Sequence, residues 1–352
     1  MKGIVFTGSR RLELQDFPDP EPGPGDVVLE IRASGMCGSD LKWYRAPDLA
    51  AAKASLGFGG ADAIIGGHEP CGVVVAVGSN VPAVRAWVGM RAMQHHYMGC
   101  GVCPECSTGW PQVCYEGVSH VWGTTHHGSH ARYMKVPAST LVPLPDELSF
   151  EAGAAISCGT GTAWGILKRL ELTADQTIAV FGQGPVGLSV TLLAKALGAQ
   201  VIALDVSADR LLKAQAMGAD HVINPAACDD VEAAIRHITR GQGAHASVDA
   251  TSSPVARRQA VRCLRGWGKC VYVGEGGEVT FDVSNDIIRR QATLMGSWVF
   301  STVQQAECAR FAADRGLDLD RLFTERWRLE DAAEAYELFD QQTSGKGVIV
   351  PS

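Results

Sequence analysis

The sequence lacks long hydrophobic runs, an excess of positive charge and an export signal. None of its 352 residues belongs to a run of the roughly 18 uninterrupted apolar residues that a membrane-spanning helix needs. Lysine and arginine total 31 against 38 aspartates and glutamates, a net charge of -7. This balance argues against nucleic acid or a membrane as a partner, because both bind basic surfaces. Residues 1–8 turn to glycine and charge after a few apolar side chains, so we expect neither a secretory signal nor a membrane anchor.

Cysteine, in contrast, is abundant, with 11 residues. Without an export signal we expect a cytoplasmic protein whose thiols stay reduced, so that clustered cysteines are metal ligands rather than disulfides. Hydrophobic residues make up 46% of the chain and charged residues 20%, which is typical of globular proteins. The length fits two domains better than one.

The pattern of apolar residues, glycines and prolines along the sequence changes near Phe150. Before it, short apolar runs are interrupted by many glycines and prolines, which indicates a mainly β, barrel-like or partly open sheet. After it, helical patterns such as 151–170 alternate with runs typical of buried strands, at 177–181, 200–204, 246–250 and 269–273. That alternation predicts an α/β fold with a parallel sheet covered on both faces. Beyond residue 296 the chain turns to helices and ends in a strand at 347–350, which could rejoin the first sheet.

A glycine-rich turn follows the strand predicted at 177–181 and opens an apolar helix. It has the form GxGxxG, made of Gly182, Gly184 and Gly187 with Pro185 and Val186 between the last two. The first glycine lets the chain turn, the second lets the backbone approach a pyrophosphate, and the third lets helix and strand pack closely. The phosphates would lie against amide groups at the helix N-terminus. The turn therefore predicts a dinucleotide-binding site.

An acidic residue ends the next predicted strand. Asp205 comes eighteen residues after Gly187, close to the place where this fingerprint expects a carboxylate for the ribose hydroxyls. A carboxylate there accepts hydrogen bonds from the 2′- and 3′-hydroxyls and repels a 2′-phosphate, so we predict NAD rather than NADP. The alternative is a solvated aspartate at a strand end. Arg210, one helical turn on, could face the adenosine, and it could equally be a solvated surface arginine.

Four cysteines lie close together in the first half of the chain. They follow the pattern C-x2-C-x2-C-x7-C and are Cys100, Cys103, Cys106 and Cys114. Four thiolates at this spacing can surround one tetrahedral zinc, and a site with four sulfurs and no open position is structural. An iron-sulfur cluster and buried unligated cysteines are the alternatives.

A second set of candidate ligands is spread along the chain. His68 and Glu69 follow two glycines, Cys37 stands in a glycine-flanked loop after a strand, and Cys158 lies near the change of pattern at Phe150. Two cysteines and a histidine form a three-ligand zinc site whose fourth position is open to water, substrate or Glu69, as a catalytic zinc requires. Considered alone, each cysteine is more simply explained as a small buried hydrophobic residue. The pair His68 and Glu69 alone is more simply explained as an ordinary polar turn.

Taken together, these motifs closely resemble the zinc-dependent medium-chain alcohol dehydrogenase superfamily, most of all its sorbitol and threonine dehydrogenase branch. The likeness runs through Cys-Gly-Ser-Asp at 37–40, Gly-His-Glu-x-x-Gly at 67–72, the four-cysteine cluster, Cys158, GxGxxG and Asp205. It implies a GroES-like, mainly β catalytic domain interrupted by a doubly wound Rossmann domain, with catalysis in the cleft between them. We place the catalytic domain at 1–155 plus 296–352, with a structural zinc lobe near 95–116, and the Rossmann domain at 156–295.

The resemblance also implies a mechanism. The zinc holds the alcohol oxygen and lowers its pKa, Ser39 takes the proton, and a hydride passes to the nicotinamide. Glu69 matches the acid that enters the metal shell or stays just outside it, and Asp40 could support the ligand loop. Many relatives pass the proton on through a histidine where this chain has Lys42. Lysine could relay the proton only if burial or a cationic neighbour lowered its pKa; otherwise the proton leaves through the cofactor ribose and water, the route that we expect.

The predicted substrate is a hydroxylated small molecule. His95 or His96 should approach a pocket wall that is apolar in enzymes for simple alcohols, which favours a polyol or sugar, although a satisfied surface histidine is the plainer explanation. The sequence thus predicts an NAD-dependent dehydrogenase that converts a secondary alcohol to the ketone and holds two zinc ions, one catalytic and one structural. The alternatives are a reductase of less polar aldehydes or ketones and a non-catalytic, cofactor-binding protein of the crystallin kind. The resemblance implies a homotetramer or a homodimer.

Overall fold

The computed structural model describes residues 1–48, 63–341 and 345–351. The chain forms two compact units, the first made of Met1–Gly161 and Phe300–Ser352 and the second of Thr162–Val299. Across the described residues, no helix combines the length and the apolar character needed to cross a membrane.

The first unit is built on a mixed, mostly antiparallel sheet. The strands of this unit are β1 (Lys2–Gly8), β2 (Arg11–Asp16), β3 (Asp26–Gly35), β4 (Pro70–Val77), β5 (Arg91–Gln94), β6 (Tyr97–Met98), β7 (His120–Val121), β8 (Tyr133–Pro137), β9 (Leu141–Pro143), β16 (Phe323–Arg328) and β17 (Lys346–Val350). Of these, β1 pairs with β2 and β6 with β7 in two separate two-stranded sheets. The main sheet has the order β16-β17-β3-β4-β5-β9, and β8 also pairs with β3. Because β17 lies antiparallel to β3, the last strand rejoins the first sheet, as the sequence predicts.

This unit also contains helices, and one of them, Phe150–Ile156, packs against β3, β4 and β5. The helices are Asp40–Arg45, Pro104–Ser107, Phe150–Ile156, Thr302–Asp314 and Ala332–Asp340. Ala332–Asp340 lies over an apolar cluster that joins residues of β1, the helix Asp40–Arg45 and the C-terminal segment, among them Phe6, Tyr44, Tyr336 and Phe339. Burial of aromatic rings is the main source of stability in such a cluster, and it fixes the C-terminal helix against the N-terminal half of the unit.

The helical pattern predicted across 151–170 is interrupted. Phe150–Ile156 ends before Cys158, and a new helix runs over Gly159–Leu170. The Ser157 hydroxyl donates to the carbonyl oxygens of Pro70, at 2.8 Å, and Gly153, at 3.0 Å. Side-chain hydrogen bonds to the backbone compete with the regular helical pattern, and here they accompany a break that places Cys158 between two helices.

The second unit is a parallel sheet between layers of helices. Its strands are β10 (Thr177–Phe181), β11 (Gln200–Leu204), β12 (His221–Ile223), β13 (Ala244–Asp249), β14 (Leu264–Tyr272) and β15 (Thr293–Gly296), and its further helices are Pro185–Ala196, Ala208–Ala216, Val231–Ile238 and Pro254–Arg262. The strands follow the order β12-β11-β10-β13-β14-β15, and neighbouring strands are parallel. This is the doubly wound Rossmann order, which reverses direction at β10, and the predicted fold class is confirmed.

Candidate metal centre and cofactor site

Cys37 lies in the turn that leads from β3 into the helix Asp40–Arg45. Its backbone N–H donates to Asp40 Oδ2 at 2.9 Å, and the Asp40 N–H donates to the Cys37 carbonyl at 3.0 Å. An aspartate that bonds the backbone near its own turn stabilises that turn locally. The Cys-Gly-Ser-Asp motif therefore holds the Cys37 thiol on a defined backbone.

His68 lies in the segment just before β4 and is held by the same aspartate. Its side chain is 11% exposed, and its Nδ1 is 3.0 Å from Asp40 Oδ1. Because an ionised carboxylate can only accept, Nδ1 carries a proton toward Asp40, so Nε2 is the nitrogen that a metal ion would bind. Burial lowers the pKa of His68, but the charges of Asp40 and Cys37 outweigh it and raise that pKa well above its ordinary value, so without a metal ion Nε2 also holds a proton, which a bound metal ion would displace.

Cys158 completes a pair of sulfurs beside this histidine. Its Sγ lies 3.8 Å from Cys37 Sγ. A hydrogen bond from Cys158 lowers the pKa of the Cys37 thiol well below its ordinary value, against the effect of burial and with help from His68. Two sulfurs bound to one tetrahedral zinc at about 2.3 Å are about 3.8 Å apart, so the spacing of the two cysteines fits a shared zinc ion.

The hydroxyl of Ser39 lies against two of these candidate ligands. Ser39 Oγ is 3.3 Å from Cys37 Sγ and 3.2 Å from His68 Nε2. Ser39 stands at the N-cap of the helix Asp40–Arg45, yet its side chain makes no capping hydrogen bond. The Ser39 hydroxyl therefore does not cap this helix.

Glu69 is fully buried, and its counterion comes from the far end of the chain. Its Oε2 forms an ion pair with Lys346 Nζ in β17, which also donates to the Met36 carbonyl at 3.2 Å. Among the described residues, Glu69 Oε1 has no hydrogen-bond partner. Burial raises the pKa of Glu69 and Lys346 opposes the rise. The sequence did not predict this role of Lys346, for which the available signal is a lysine directly before the apolar strand predicted at 347–350.

The donor set fits a zinc ion. One atom each of Cys37, His68, Glu69 and Cys158 can be chosen so that all four lie within 4.8 Å of one another. Two thiols, an imidazole that can bind through Nε2 and an unpaired carboxylate oxygen are the groups that bind zinc in proteins. The structure thus brings together every residue predicted for this site.

The four-cysteine cluster is a separate group. Its sulfurs, from Cys100, Cys103, Cys106 and Cys114, also lie within 4.8 Å of one another, with 3.8 Å between those of Cys103 and Cys114. Backbone N–H groups point at the sulfurs, for example from Cys103 to Cys100 Sγ at 3.2 Å, and such donors stabilise thiolates. The spacing fits one tetrahedral ion with no open position, whereas an iron-sulfur cluster would hold its cysteines further apart.

The predicted dinucleotide turn has the conformation that its glycines require. Gly182 directly follows β10 and adopts a φ of +90°, Gly184 is the N-cap of the helix Pro185–Ala196, and Val186 lies in its first turn. A Cβ added to Gly187 would come 1.8 Å from the Gly182 carbonyl oxygen. Only glycine permits this approach of helix to strand.

Asp205 lies just after β11 and holds the same turn. Its Oδ2 accepts the Gln183 N–H at 2.7 Å and its Oδ1 accepts the Ser207 N–H at 2.9 Å. Arg210 Nη1 lies 3.8 Å from Asp205 Oδ2. Each carboxylate oxygen keeps a second lone pair, so Asp205 can still accept from a ribose hydroxyl. Gln183, which the sequence analysis did not single out, is buried and links the turn to β10 through the Val180 carbonyl.

The structure distinguishes the two histidines that precede the cysteine cluster. The ring centroid of His96 lies 5.0 Å from that of His68, and its Nδ1 lies 3.2 Å from the Ser157 carbonyl, to which it can donate. His95 instead contacts the Phe300 carbonyl through Nε2 at 3.0 Å. Burial, with His68 nearby, lowers the pKa of His96 well below its ordinary value, so its ring is neutral with Nε2 as an acceptor. Lys42 lies exposed on the helix Asp40–Arg45.

Both units match known protein families. Residues 23–146 match the alcohol dehydrogenase GroES-like domain, and residues 185–314 match the zinc-binding dehydrogenase family.

Similar proteins span the whole chain. The chain is 35% identical to an uncharacterized zinc-type alcohol dehydrogenase-like protein, YphC of Escherichia coli, over 99% of this chain and 98% of that protein. It is 30% identical to the sorbitol dehydrogenase of Bacillus subtilis, over 96% and 93% of the two chains. The crystal structure of 2R,3R-butanediol dehydrogenase from Bacillus subtilis superposes with a TM-score of 0.86 at 27% identity, over 100% and 99% of the two chains. The chain therefore belongs to the zinc-dependent medium-chain alcohol dehydrogenase superfamily, as its motifs predicted, and is an oxidoreductase of hydroxyl compounds.

Proposed function

We propose that the protein transfers a hydride between a secondary alcohol, of the polyol or sugar class, and NAD, and that the product is the ketone. The observation that carries this proposal is the convergence of Cys37, His68 and Cys158 on one point, with the Ser39 hydroxyl against two of their ligand atoms. A zinc ion held there supplies Lewis-acid chemistry for an alcohol oxygen, and NAD supplies the hydride acceptor. We further propose that the first unit is the catalytic domain and the second unit the dinucleotide-binding domain.

The chain's own residues supply the proton chemistry and the orientation. Ser39 Oγ, which lies 3.2 Å from His68 Nε2, accepts the proton of the substrate hydroxyl and passes its own hydroxyl proton on toward the cofactor ribose and water. The carboxylate of Asp40 keeps the proton of His68 on Nδ1. Glu69, with Lys346 as its counterion, contributes a carboxylate at the same centre.

Two further features support the finer assignments. The neutral His96 ring presents an acceptor near His68, which suits a substrate that carries a second hydroxyl group. The Asp205 carboxylate supports NAD over NADP, because a carboxylate beside the adenosine ribose repels a 2′-phosphate. The unpaired thiols fit a reducing cytoplasm, and we expect a homotetramer or a homodimer, measurable by light scattering.

Metal analysis tests the site assignment. We expect about two zinc ions per chain, held at the two cysteine-containing sites, and about one in the Cys158→Ser variant. Cys228→Ser is the matched control, since Cys228 lies outside both groups, and it should keep both ions. An unchanged zinc content in Cys158→Ser would show that Cys158 is not a zinc ligand. A wild-type protein that holds only the zinc ion of the four-cysteine cluster would favour the alternative of a non-catalytic, cofactor-binding protein.

A substrate screen tests the reaction. Secondary alcohols, polyols and amino alcohols are offered with NAD and with NADP, and the absorbance of the reduced cofactor is followed. We expect the highest kcat/KM with NAD and a vicinal diol or polyol. A preference for NADP or for simple apolar alcohols would contradict the assignment of Asp205 or of His96, and activity confined to the reduction of apolar aldehydes would favour the reductase alternative.

A further inference from the structure

A buried carboxylate links the metal centre to the C-terminal helix. Asp40 is 2% exposed, and three donors from different parts of the chain converge on it. His68 Nδ1 lies 3.0 Å from its Oδ1, and its Oδ2 accepts the Cys37 N–H and the Tyr336 hydroxyl, each at 2.9 Å. Tyr336 lies in the helix Ala332–Asp340, so a residue 296 positions away in sequence takes part in holding the carboxylate that orients His68.

The hydrogen bonds continue beyond Tyr336 into the interior. The Tyr336 hydroxyl oxygen is 2.7 Å from His130 Nε2, and His130 Nδ1 is 2.7 Å from Ser34 Oγ. Ser34 Oγ is in turn 2.6 Å from Ser129 Oγ. Tyr336, His130, Ser34 and Ser129 are all fully buried. Buried side-chain networks of this kind fix the orientation of their members when every polar group is paired.

The donor and acceptor groups allow one direction for the hydrogen bonds that run from Ser34 through His130 and Tyr336 to Asp40. Asp40 can only accept, so Tyr336 donates its single proton to Asp40 and its oxygen accepts from His130 Nε2–H. His130 is then neutral, and its Nδ1 accepts from Ser34. Burial lowers the pKa of His130 to about 4, and burial together with Asp40 raises the pKa of Tyr336 well above its ordinary value, which agrees with this assignment.

Packing holds the two rings in place. The Tyr336 ring lies edge-on to Phe6, with 4.9 Å between centroids, and 5.8 Å from Tyr44. His130 fits against Gly67, where an added Cβ would lie 2.6 Å from its Nδ1. The glycine that precedes His68 thus also makes room for His130, so the local sequence around the ligand serves the network.

We propose that Tyr336 and His130 are positioning residues of the metal centre, which hold Asp40 so that His68 presents Nε2 to the zinc ion. The inference rests on the proposed function, because it requires a metal at Cys37, His68 and Cys158. It assigns to the C-terminal helix a role beyond packing: its tyrosine orients a carboxylate that orients a ligand. Partners one step outside a metal ligand commonly change metal affinity by about 10-fold to 100-fold when removed.

Tyr336→Phe is the direct test, because it removes one hydroxyl and keeps the buried ring. The rate of zinc release to a chromogenic chelator and the visible absorption of the cobalt-substituted centre are measured on the intact protein. Because Tyr336 acts through Asp40, the effect should lie below the range for a direct partner of a ligand, and we expect release from the centre to be faster by more than about twofold and up to about 10-fold and the cobalt bands to shift. His130→Phe, which removes the donor to the Tyr336 hydroxyl, should act in the same direction. Tyr44→Phe is the matched control from the same aromatic cluster and should behave as wild type.

The outcomes separate this inference from the proposed function. Release rates within about twofold of wild type and unshifted cobalt bands in Tyr336→Phe would overturn the inference. Equal effects in Tyr336→Phe and Tyr44→Phe would also overturn it, because loss of packing would then explain both. If instead the wild-type protein binds no metal that depends on Cys158, the proposed function itself fails.

Discussion

Replacement of Lys346 by methionine tests the charge balance at the centre. Lys346 and Glu69 form an ion pair in which their side chains are 2% and 0% exposed. Methionine has similar length and packs well in irregular spaces, but it carries no charge. The variant therefore leaves Glu69 buried without its nearest cation, while the volume of the site changes little.

The expected loss follows from the burial of both charges. Removal of one member of a buried ion pair costs about 3–5 kcal/mol, because the remaining charge is uncompensated. Lys346 opposes the rise that burial causes in the pKa of Glu69, so its loss raises that pKa further. The variant can then reduce the cost by protonating Glu69, and the destabilisation grows as the pH rises above the native pKa of Glu69. We expect a small cost at pH 7 and a larger one at pH 9, and the full cost only above the further raised pKa of Glu69 in the variant.

Thermal unfolding of the zinc-loaded proteins measures this loss. In a unit of this size each kcal/mol lowers the midpoint by about 2–4 °C, so the full cost corresponds to a drop of roughly 6–20 °C, of which a part is expected at pH 9 and less at pH 7. Midpoints are compared at one heating rate, since unfolding of such proteins is often irreversible. Lys2→Met is the matched control: Lys2 pairs with Asp16 at 2.6 Å, but their side chains are 50% and 78% exposed. An exposed pair of this kind contributes less than about 1 kcal/mol.

A double variant completes the test. Glu69→Gln combined with Lys346→Met removes both charges and should recover most of the midpoint lost in Lys346→Met. If the unfolding midpoint of Lys346→Met falls no further than that of Lys2→Met, the buried ion pair does not contribute the expected stability. The same conclusion follows if the double variant is no more stable than Lys346→Met.

Two further predictions concern catalysis and the cofactor. Ser39→Ala should lower kcat by about 10² or more with zinc content unchanged, because the hydroxyl that takes the proton is lost. Ser39→Thr keeps a hydroxyl and should retain more of the wild-type kcat. A near-wild-type kcat in Ser39→Ala would exclude Ser39 as the proton relay. Asp205→Ala should raise kcat/KM for NADP relative to NAD. It should also raise KM for both cofactors, because Asp205 holds the Gln183 N–H. Asp209→Ala changes an exposed aspartate on the next helix and is the control; an unchanged ratio of kcat/KM for the two cofactors in Asp205→Ala would show that Asp205 does not select the cofactor.

Local sequence patterns predicted several parts of this protein. The four-cysteine spacing confines its sulfurs to one short segment, and they lie within 4.8 Å of one another. The GxGxxG turn needs only the strand before it and the helix after it, and both are present. The alternation of helix and strand patterns predicted the parallel sheet, because buried parallel strands require crossover helices.

Other features depend on residues that are distant in sequence. The break in the helix at Cys158 follows hydrogen bonds from Ser157 to Pro70 and Gly153, and the Pro70 contact has no counterpart in the local pattern. The choice between His95 and His96 depends on which carbonyl each ring meets, Phe300 or Ser157. Such contacts are set by tertiary packing, so periodicity and spacing carry no information about them.

The sequence by itself predicted the four-cysteine cluster and the dinucleotide turn, because each is a pattern of residue types at short spacing, and it predicted the candidate ligands Cys37, His68 and Cys158 through their local motifs. Only the tertiary structure decided how the metal centre is supported. Lys346 reaches Glu69 because β17 pairs with β3, and Tyr336 reaches Asp40 because an aromatic cluster packs its helix against β1. A carboxylate needs a partner wherever it is buried, but which residue supplies that partner depends on the path of the whole chain.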